Sequence, residues 1–290
     1  MKRIFFILIL AGAACTAEAE TFVAAQPGKE AFYKLYNQAL TAHTSSRLGE
    51  ACKYYAQAAD MAAELDDAHW EYGRAVSLLA MAYHTRGNYA QAGKYYQLSI
   101  EYYRKYKLRE LGVAVSGLGR LYLEQGQAQK AAPLLKEAAE LTKADQAQGV
   151  APYELADAYS SLARLNELLG NKKTAETYYK AAVELFKDAP VSFPFKVLDA
   201  EQMDSYPIIL FRTGYFYAKN GRPESAGAYF ARSLKAFENW LPLDDRPALK
   251  ARVLDYRGRT LKALGRAAES EADLREAAGL YKRIREQRVN

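Results

Sequence analysis

The chain has 290 residues, 50% of them hydrophobic, a formal net charge of +6 at pH 7 and two cysteines. Its length and apolar content are sufficient to bury a large core, so size is no obstacle to folding. The positive excess is mild and spread thinly. In an exported protein, which the first residues predict, such a charge favours acidic proteins, anionic lipid or cell-wall polymer over nucleic acid as counterparts.

The first 19 residues have the order of a secretory signal peptide. Lys2 and Arg3 precede an apolar run from Ile4 to Leu10, and a small-residue stretch ends in Ala17-Glu18-Ala19. The run is much shorter than the roughly 20 residues that span a bilayer. We therefore expect cleavage after Ala19, a short linker over 20–28, and a periplasmic or secreted protein of a Gram-negative bacterium.

A second reading of the leader concerns Cys15, which follows Ala13-Ala14. Bacterial lipoproteins are cleaved just before a lipidated cysteine, and a lipid would hold the protein at a membrane surface. Position 12 is Gly, whereas such sites usually have Leu or a similar residue there. Cleavage after Ala19 would leave Cys52 alone, which excludes an internal disulfide.

Six copies of one pattern of small and large residues follow the leader. In chain order their recurring positions are Ala39, Ala51, Tyr55 and Ala58; Leu79, Ala80, Tyr83, Gly87, Ala92 and Tyr96; Leu118, Gly119, Tyr122, Gly126, Ala131 and Leu135; Leu162, Ala163, Gly170, Ala175 and Tyr179; Gly214, Tyr217, Gly221, Ala226 and Phe230; and Gly258, Leu261, Gly265, Ser270 and Leu274. A small residue in a first helix permits close approach of the second, and a glycine suits the turn between them. The first copy, with its turn at 44–49, lacks the usual glycine placement.

These positions resemble the tetratricopeptide repeat family over residues 29–290. The resemblance implies an all-α fold, a right-handed solenoid of about six helix-turn-helix repeats. Intervals of 41, 39, 44, 51 and 44 residues separate Ala51, Ala92, Ala131, Ala175, Ala226 and Ser270. Because these exceed the usual 34, the repeats are similar to the long repeats of the kinesin light chain subgroup.

Two proline-containing breaks interrupt the pattern. The first contains Pro190 and Pro194, and the second contains Pro242 and Pro247. We expect helices to restart near Ser205 and Asp245, with a proline in each first turn. The predicted organisation is four repeats over 29–189, an irregular loop over 190–206, and two repeats over 207–290. For the last helix, 268–288, either its basic face caps the solenoid, or its remaining apolar surface docks another copy or a partner.

Few side chains suggest chemistry. His43 and His84 are at equivalent places in neighbouring repeats, roughly 10 Å apart, too far to share a metal ion. His69 follows Asp66 and Asp67, which we expect to cap a helix. Cys52 is expected to be a buried thiol. No phosphate loop, nucleophile elbow or zinc motif is present, so we predict no enzyme activity, no metal and no cofactor.

Tyrosine is unusually frequent, with 23 residues. Several come in pairs, and the second members Tyr55, Tyr96 and Tyr179 coincide with the large residue of the repeat pattern. Most of this aromatic content is therefore expected in the core.

The family binds partners along a concave face built by the first helix of each repeat. By position, the resemblance implies these partner-binding candidates: Tyr33, Tyr36, Arg74, Arg120, Arg164, Ile208, Phe211, Tyr215, Arg252 and Arg259. Arginine suits a carboxylate because its planar fork donates two hydrogen bonds. We therefore hypothesise a partner segment with acidic side chains or a free carboxyl terminus, although the family's carboxylate clamp of lysine and asparagine is not reproduced.

Alternatives remain at this point. The arginines would instead serve the scaffold if they pair with Asp157, Glu167 and neighbouring acids. The leading functional hypothesis is an exported protein–protein interaction scaffold or adaptor, and the alternative is a periplasmic module that binds cell-wall polymer or a small molecule. A third hypothesis places an enzyme on the loop from Pro190 to Pro207.

Overall fold

The computed structural model describes residues 27–147, 153–187, 205–240 and 247–286, and these ranges are α-helical apart from short turns. The helices are α1 Pro27–Thr44, α2 Leu48–Ala63, α3 His69–Thr85, α4 Tyr89–Tyr106, α5 Leu111–Glu124, α6 Ala128–Ala147, α7 Tyr153–Leu168, α8 Lys172–Glu184, α9 Tyr206–Lys219, α10 Pro223–Trp240, α11 Pro247–Ala263 and α12 Ala267–Glu286. The all-α prediction is confirmed. The predicted leader over 1–19, its Cys15 alternative and most of the loop 190–206 lie outside the described residues, and the domain boundaries stay a prediction.

Consecutive helices form six hairpins, α1 with α2 through α11 with α12, and each hairpin is one repeat. The turns of the last five hairpins each contain a glycine with φ between 71° and 80°: Gly87, Gly126, Gly170, Gly221 and Gly265. In the first hairpin the left-handed position is taken by Ser46, with φ of 61°. The absence of the usual glycine there is thus explained, since a serine adopts the conformation that glycine adopts elsewhere.

The proline predicted in the first turn of α9 is found there, whereas the aspartates predicted to cap α3 do not cap it. Ser205 is extended and precedes α9, with Pro207 in its first turn, as predicted. At α3 the residue before the helix is Ala68, and no side chain caps it. Asp67 instead pairs with Lys29 of α1 at 3.3 Å. The prediction that Asp66 and Asp67 cap α3 is therefore wrong, and Asp67 instead links two repeats.

The core is built from small residues facing aromatic or leucine side chains. Ala51, Ala92, Ala131 and Ala175 are fully buried, as are Tyr55, Tyr96, Leu135 and Tyr179. A Cβ added at Gly119 of α5 would lie 2.6 Å from Leu135 Cδ2 of α6. The close approach of paired helices that the repeat pattern predicts is therefore present, and the core assignment of the paired tyrosines is confirmed.

The solenoid curves with the first helices of the repeats on its inside. Among the described residues, the backbones of α3 and α5, α5 and α7, α7 and α9, and α9 and α11 approach one another, whereas second helices of neighbouring repeats show no comparable contact. We call the surface of α1, α3, α5, α7, α9 and α11 that is turned away from the second helices the inner face.

Candidate functional site

In repeats two to four, polar contacts between buried and partly exposed side chains link the helices of the inner face. His84 Nε2 of α3 lies 3.0 Å from Glu124 Oε2 of α5, and His84 Nδ1 lies 3.4 Å from the Tyr96 hydroxyl. Because a carboxylate only accepts hydrogen bonds, Nε2 carries the proton, and in the neutral ring Nδ1 accepts from the tyrosine. One histidine therefore links three helices.

The next contact along the inner face is an ion pair. Arg120 Nη1 of α5 donates to Asp157 Oδ2 of α7, and both side chains are buried. Ser116 donates to the same carboxylate oxygen at 3.4 Å. This is the internal pairing considered as an alternative for the arginines, and for Arg120 it is the observed one.

Glu124 lies at the centre of this charged region. Its partial burial would by itself raise the pKa, but the hydrogen bond with His84 and the positive charges of His84, Arg120 and Arg164 lower the pKa below its ordinary value. The carboxylate thus stays ionised and attracts both arginines. Within repeats two to four, positive charge on the inner face is largely balanced by acids of the scaffold.

The inner face of repeats five and six has a different composition. Three guanidinium carbons surround the ring of Tyr256 of α11, with distances to the ring centroid of 5.5 Å for Arg212, 5.9 Å for Arg252 and 5.7 Å for Arg259. Arg212 Nη2 of α9 also donates to the Tyr256 hydroxyl at 2.7 Å. We call Arg212, Arg252, Tyr256 and Arg259 the Tyr256 cluster.

Aromatic side chains extend this cluster on two sides. The Phe211 ring meets the Tyr256 ring edge to face at 5.4 Å and stacks with the Tyr215 ring at 6.2 Å. Tyr215 is 57% exposed. On α12, partial burial and the Asp255 carboxylate raise the pKa of Tyr281 to about 12, against the lowering effect of Arg252 and Arg259. Cations and aromatic rings are thus adjacent here.

The structure divides the predicted partner-binding residues into buried and accessible groups. Tyr36, Arg120, Ile208 and Phe211 are buried. Ile208 packs with Phe237, Leu249 and Val253, and it is removed from the candidate surface because its side chain belongs to the core. Tyr36 is removed for the same reason. The remaining candidates are half-buried or exposed: Tyr33, Arg74, Arg164, Tyr215, Arg252 and Arg259.

Tyr33 is half-buried and serves mainly as a link between repeats. Its hydroxyl donates to Glu71 Oε1 of α3 at 3.2 Å, and Lys29 lies 3.6 Å from the same oxygen.

Tyr256 and Arg212 of the Tyr256 cluster were not predicted from the sequence. The sequence did contain a signal for each residue, since Tyr256 lies between the candidates Arg252 and Arg259, and Arg212 follows the candidate Phe211. The contact between Tyr256 and Arg212, however, depends on the packing of α9 against α11.

The histidines and the cysteine occupy structural positions. His43 is fully buried, with Nδ1 3.3 Å from the Tyr55 hydroxyl, which repeats the geometry of His84 and Tyr96. His69 Nδ1 lies 2.9 Å from the Tyr102 hydroxyl. Cys52 is buried, and burial raises its pKa to about 11 although Arg86 opposes the shift. The prediction of a buried thiol is confirmed.

Two further properties concern the described part of the chain. Nowhere in it do three or more His, Cys, Asp or Glu side chains group as ligands for a metal ion. Of the helices assigned above, none combines the length and the apolar character that crossing a bilayer requires.

Comparison with known proteins agrees with the fold. Solved structures that match include BtubC (BKLC) from P. vanneervenii, at 21% identity and a TM-score of 0.52, covering 86% of this chain and 92% of that chain. A Rap protein complexed with competence and sporulation factor matches at 18% identity and a TM-score of 0.59, covering 90% and 77%. NprR in complex with its cognate peptide NprX matches at 17% identity and a TM-score of 0.61, covering 89% and 69%.

The fold is an α-solenoid of the tetratricopeptide-repeat class. Residues 71–144 and 156–188 each match a family model described as tetratricopeptide repeat, so the chain contains these repeats. No curated protein matches the sequence. The narrower similarity to kinesin light chain repeats stays a prediction.

Proposed function

We propose that the protein is an exported scaffold whose inner face binds a segment of a partner protein, with no catalysis of its own. The observation that supports this most strongly is the surface of repeats five and six. There the exposed ring of Tyr215 adjoins the Tyr256 cluster through Phe211, and the guanidinium of Arg259 within the cluster is half-exposed. Tyrosine and arginine are the residues enriched at the centres of protein interfaces.

Two of the similar structures were solved with bound partners. NprR holds its cognate peptide, and the Rap protein holds competence and sporulation factor. Both share with this chain only the fold, since identity is below 20%. A solenoid of this length offers an extended surface, which is the reason why such folds accommodate peptide segments.

Export is the second part of the proposal, and it rests on the leader sequence. Fractionation of the native host should place the protein in the periplasm or the medium, and mass spectrometry should give a chain that begins at Glu20. A chain that begins at a lipidated Cys15 would instead place it at a membrane surface. A protein found in the cytoplasm with an intact leader would overturn the export proposal.

The binding proposal is tested by affinity purification of the tagged protein from its native host, at low and high salt. We expect a protein partner in stoichiometric amount. The informative variant is Tyr215→Ala, and its control is Tyr89→Ala, which removes an exposed tyrosine at the start of α4. Loss of the partner from the first variant alone supports the inner face of repeat five.

Other outcomes contradict either the inner-face site or the scaffold proposal itself. Retention of the partner by Tyr215→Ala and loss from Tyr89→Ala would place binding on the edge formed by the turns. Recovery of the protein alone, together with sedimentation on insoluble cell wall, would favour the alternative function of a polymer-binding module.

A further inference from the structure

The turn of repeat four presents two leucines to solvent. Leu168 ends α7 and is 60% exposed, and Leu169 follows it and is 47% exposed. Neither leucine belongs to a hydrophobic cluster of the described residues. Backbone hydrogen bonds fix this turn, because Asn171 N donates to Asn166 O at 2.8 Å and Leu169 N donates to Leu165 O at 3.0 Å. A well-defined backbone therefore holds apolar side chains in contact with water.

The equivalent positions of the other repeats show that the fold does not require leucine there. In repeats one, two, three and five both positions are polar: Thr44-Ser45, Thr85-Arg86, Glu124-Gln125 and Lys219-Asn220. In repeat six the second position is Leu264, which packs against the core. The hairpin turn thus forms with polar side chains at these positions, and the exposed leucine pair is a feature of repeat four.

Lysines surround the leucine pair. Lys172 and Lys173 begin α8, and Lys219 ends α9. All three side chains are exposed, and within the described ranges none of them pairs with a carboxylate. Two acids nearby already serve the scaffold, since Glu167 accepts a hydrogen bond from a core tyrosine and Glu176 contacts three donors. The three ammonium groups are therefore available to an anionic partner.

The turns of repeats four and five are neighbours on one edge of the solenoid. Arg222, in the turn of repeat five, lies 3.0 Å from Glu176 in the second turn of α8. Lys219 is therefore on the same edge as the leucine pair. Over residues 165–180 and 216–226 there are five basic and three acidic residues, of which Glu224 is an exposed acid. We define the edge patch as these five residues: Leu168, Leu169, Lys172, Lys173 and Lys219.

The composition of the edge patch distinguishes between two kinds of partner. Lysine is depleted in protein interfaces, and leucine is under-represented among the residues that dominate their binding energy. At a bilayer surface, by contrast, leucine side chains enter the apolar layer below the headgroups while lysine ammonium groups stay at the phosphates of anionic lipid. A position on a hairpin turn, outside the concave inner face, also suits a flat surface.

We propose that the edge patch binds the surface of an anionic lipid bilayer, with its two leucines inserted below the headgroups and its three lysines on lipid phosphates. The described helices stay outside the bilayer, and the contact is peripheral and reversible because it buries little apolar area. The patch is separate from the inner face of the first three repeats. A scaffold bound in this way holds its partner at a membrane surface.

The test is flotation of the protein with lipid vesicles in a density gradient. One set of vesicles contains equal parts of phosphatidylcholine and phosphatidylglycerol, and the other contains phosphatidylcholine alone. The protein is the chain from Glu20 to Asn290, which keeps every described residue. It lacks the apolar run at residues 4–10, which would bind lipid by itself. Circular dichroism checks that this chain and each variant have the helical content of the described fold.

We expect binding to the anionic vesicles, and binding at least about tenfold weaker to the neutral ones, because each lysine near an anionic surface contributes about fivefold in affinity. Leu168→Ser/Leu169→Ser and Lys172→Gln/Lys173→Gln should each lose about tenfold or more. Leu168→Met/Leu169→Met keeps apolar side chains and should bind within about twofold of the wild type. Should the double serine variant unfold, the two single substitutions replace it.

The matched controls change the same properties away from the edge patch. Lys136→Gln/Lys143→Gln removes two exposed positive charges from α6, and Tyr89→Ser removes an exposed apolar side chain from the first turn of α4. Both controls should stay within about twofold of the wild type, because charges beyond a Debye length of about 10 Å are screened from the patch.

Three results would overturn the proposal. The first is a wild type that does not float with anionic vesicles, and the second is unchanged binding in the leucine or the lysine variant of the patch. The third is an equal loss in the controls, which would indicate that only net charge matters. A partner protein captured from the host and lost from Leu168→Ser/Leu169→Ser, without vesicle binding, would assign the patch to a protein instead. The partner tested through Tyr215 is judged separately from all of these outcomes.

Discussion

At the scale of single residues, a position near the end of the first helix of a repeat contacts the position twelve residues later in the second helix. His43 contacts the Tyr55 hydroxyl, His84 contacts Tyr96, and the Tyr179 hydroxyl donates to Glu167 at 2.6 Å. In repeats three and five the earlier position is Leu123 or Ala218, and the later one is Leu135 or Phe230, which have no hydroxyl. At this position of repeats one, two and four, the first helix thus supplies a polar partner for the hydroxyl of the core tyrosine.

The sequence predicted that these tyrosines lie in the core, but it did not predict the hydrogen-bond partners of their hydroxyl groups. Burial follows from the recurrence of a large residue at one position of the repeat, which a single sequence displays. The hydrogen bonds depend on the directions of two side chains on different helices. For the same reason the sequence left open whether Arg120 faces a partner or Asp157, and only the packing of α5 against α7 decides it.

The ion pair between Arg120 and Asp157 leads to a stability prediction. Arg120→Ala leaves a buried carboxylate without its cation, and we expect a loss of about 3–5 kcal/mol of unfolding free energy. Urea titration followed by circular dichroism measures it. The control is Arg104→Ala, which breaks a half-exposed pair with Glu137 and should cost about 0.2–1 kcal/mol.

A double variant distinguishes a charge effect from lost packing. Arg120→Met combined with Asp157→Leu removes both charges, so it should be more stable than Arg120→Ala. A double variant less stable than the single one would show that the pair stabilises the fold by more than mutual neutralisation.

At the scale of helices, α5 is in close contact with the second helices on both sides. A Cβ added at Gly117 would lie 2.5 Å from Tyr96 Cε1 of α4, and one added at Gly119 would lie 2.6 Å from Leu135 Cδ2 of α6. The sequence reasoning recognised Gly119, because it belongs to the repeat pattern. Gly117 was missed, since its contact is with the preceding repeat and no fixed spacing reports it.

Gly117→Ala should therefore destabilise the protein by about 1–3 kcal/mol. The Tyr96 ring is buried and contacts His84, so it has little room to move. Gly227→Ala in α10 is the matched control, because an added Cβ meets nothing within 4 Å there. That change should stabilise the protein by about 0.5–1 kcal/mol through helix propensity. Equal effects of the two substitutions in thermal unfolding would contradict the close contact.

At the scale of the whole molecule, each hairpin packs mainly on its neighbours, which is why a repeated sequence pattern predicted the architecture well. The charge distribution was not predicted in the same way. Arg74, Arg120 and Arg164 were all predicted to bind a partner, but Arg120 pairs with Asp157 of the scaffold, and the Glu124 carboxylate attracts Arg120 and Arg164. The Tyr256 cluster emerged only once the contact between α9 and α11 was known.

The junction of repeats four and five contains one carboxylate with three donors. Glu176 of α8 lies 2.7 Å from Lys180, 2.9 Å from the Tyr217 hydroxyl of α9 and 3.0 Å from Arg222. The hydrogen bond from Lys180, opposed by partial burial and assisted by Tyr217 and Arg222, lowers the pKa of Glu176 to about 2. The stabilisation it provides is complete above the ordinary glutamate pKa and is lost as the pH falls towards 2.

We therefore expect Glu176→Gln to melt at a lower temperature than the wild type at pH 7, and the difference to shrink between about pH 4.5 and 2. Thermal unfolding across this pH range measures it. Glu184→Gln on the same helix, where the exposed carboxylate contacts Lys187 only locally, should follow the wild type throughout. A difference for Glu176→Gln that is independent of pH would rule out its ionisation as the cause.

Packing between neighbours alone also determines how the molecule would respond to tension. In a chain of hairpins pulled from its two ends, every joint bears the full load, because the extensive contacts among the described helices join only neighbouring repeats. Among the described residues, α8 and α9 share the least extensive contact of any two consecutive helices. Extension would therefore begin at the Glu176 junction, and the four-repeat and two-repeat segments would separate before either one unravels.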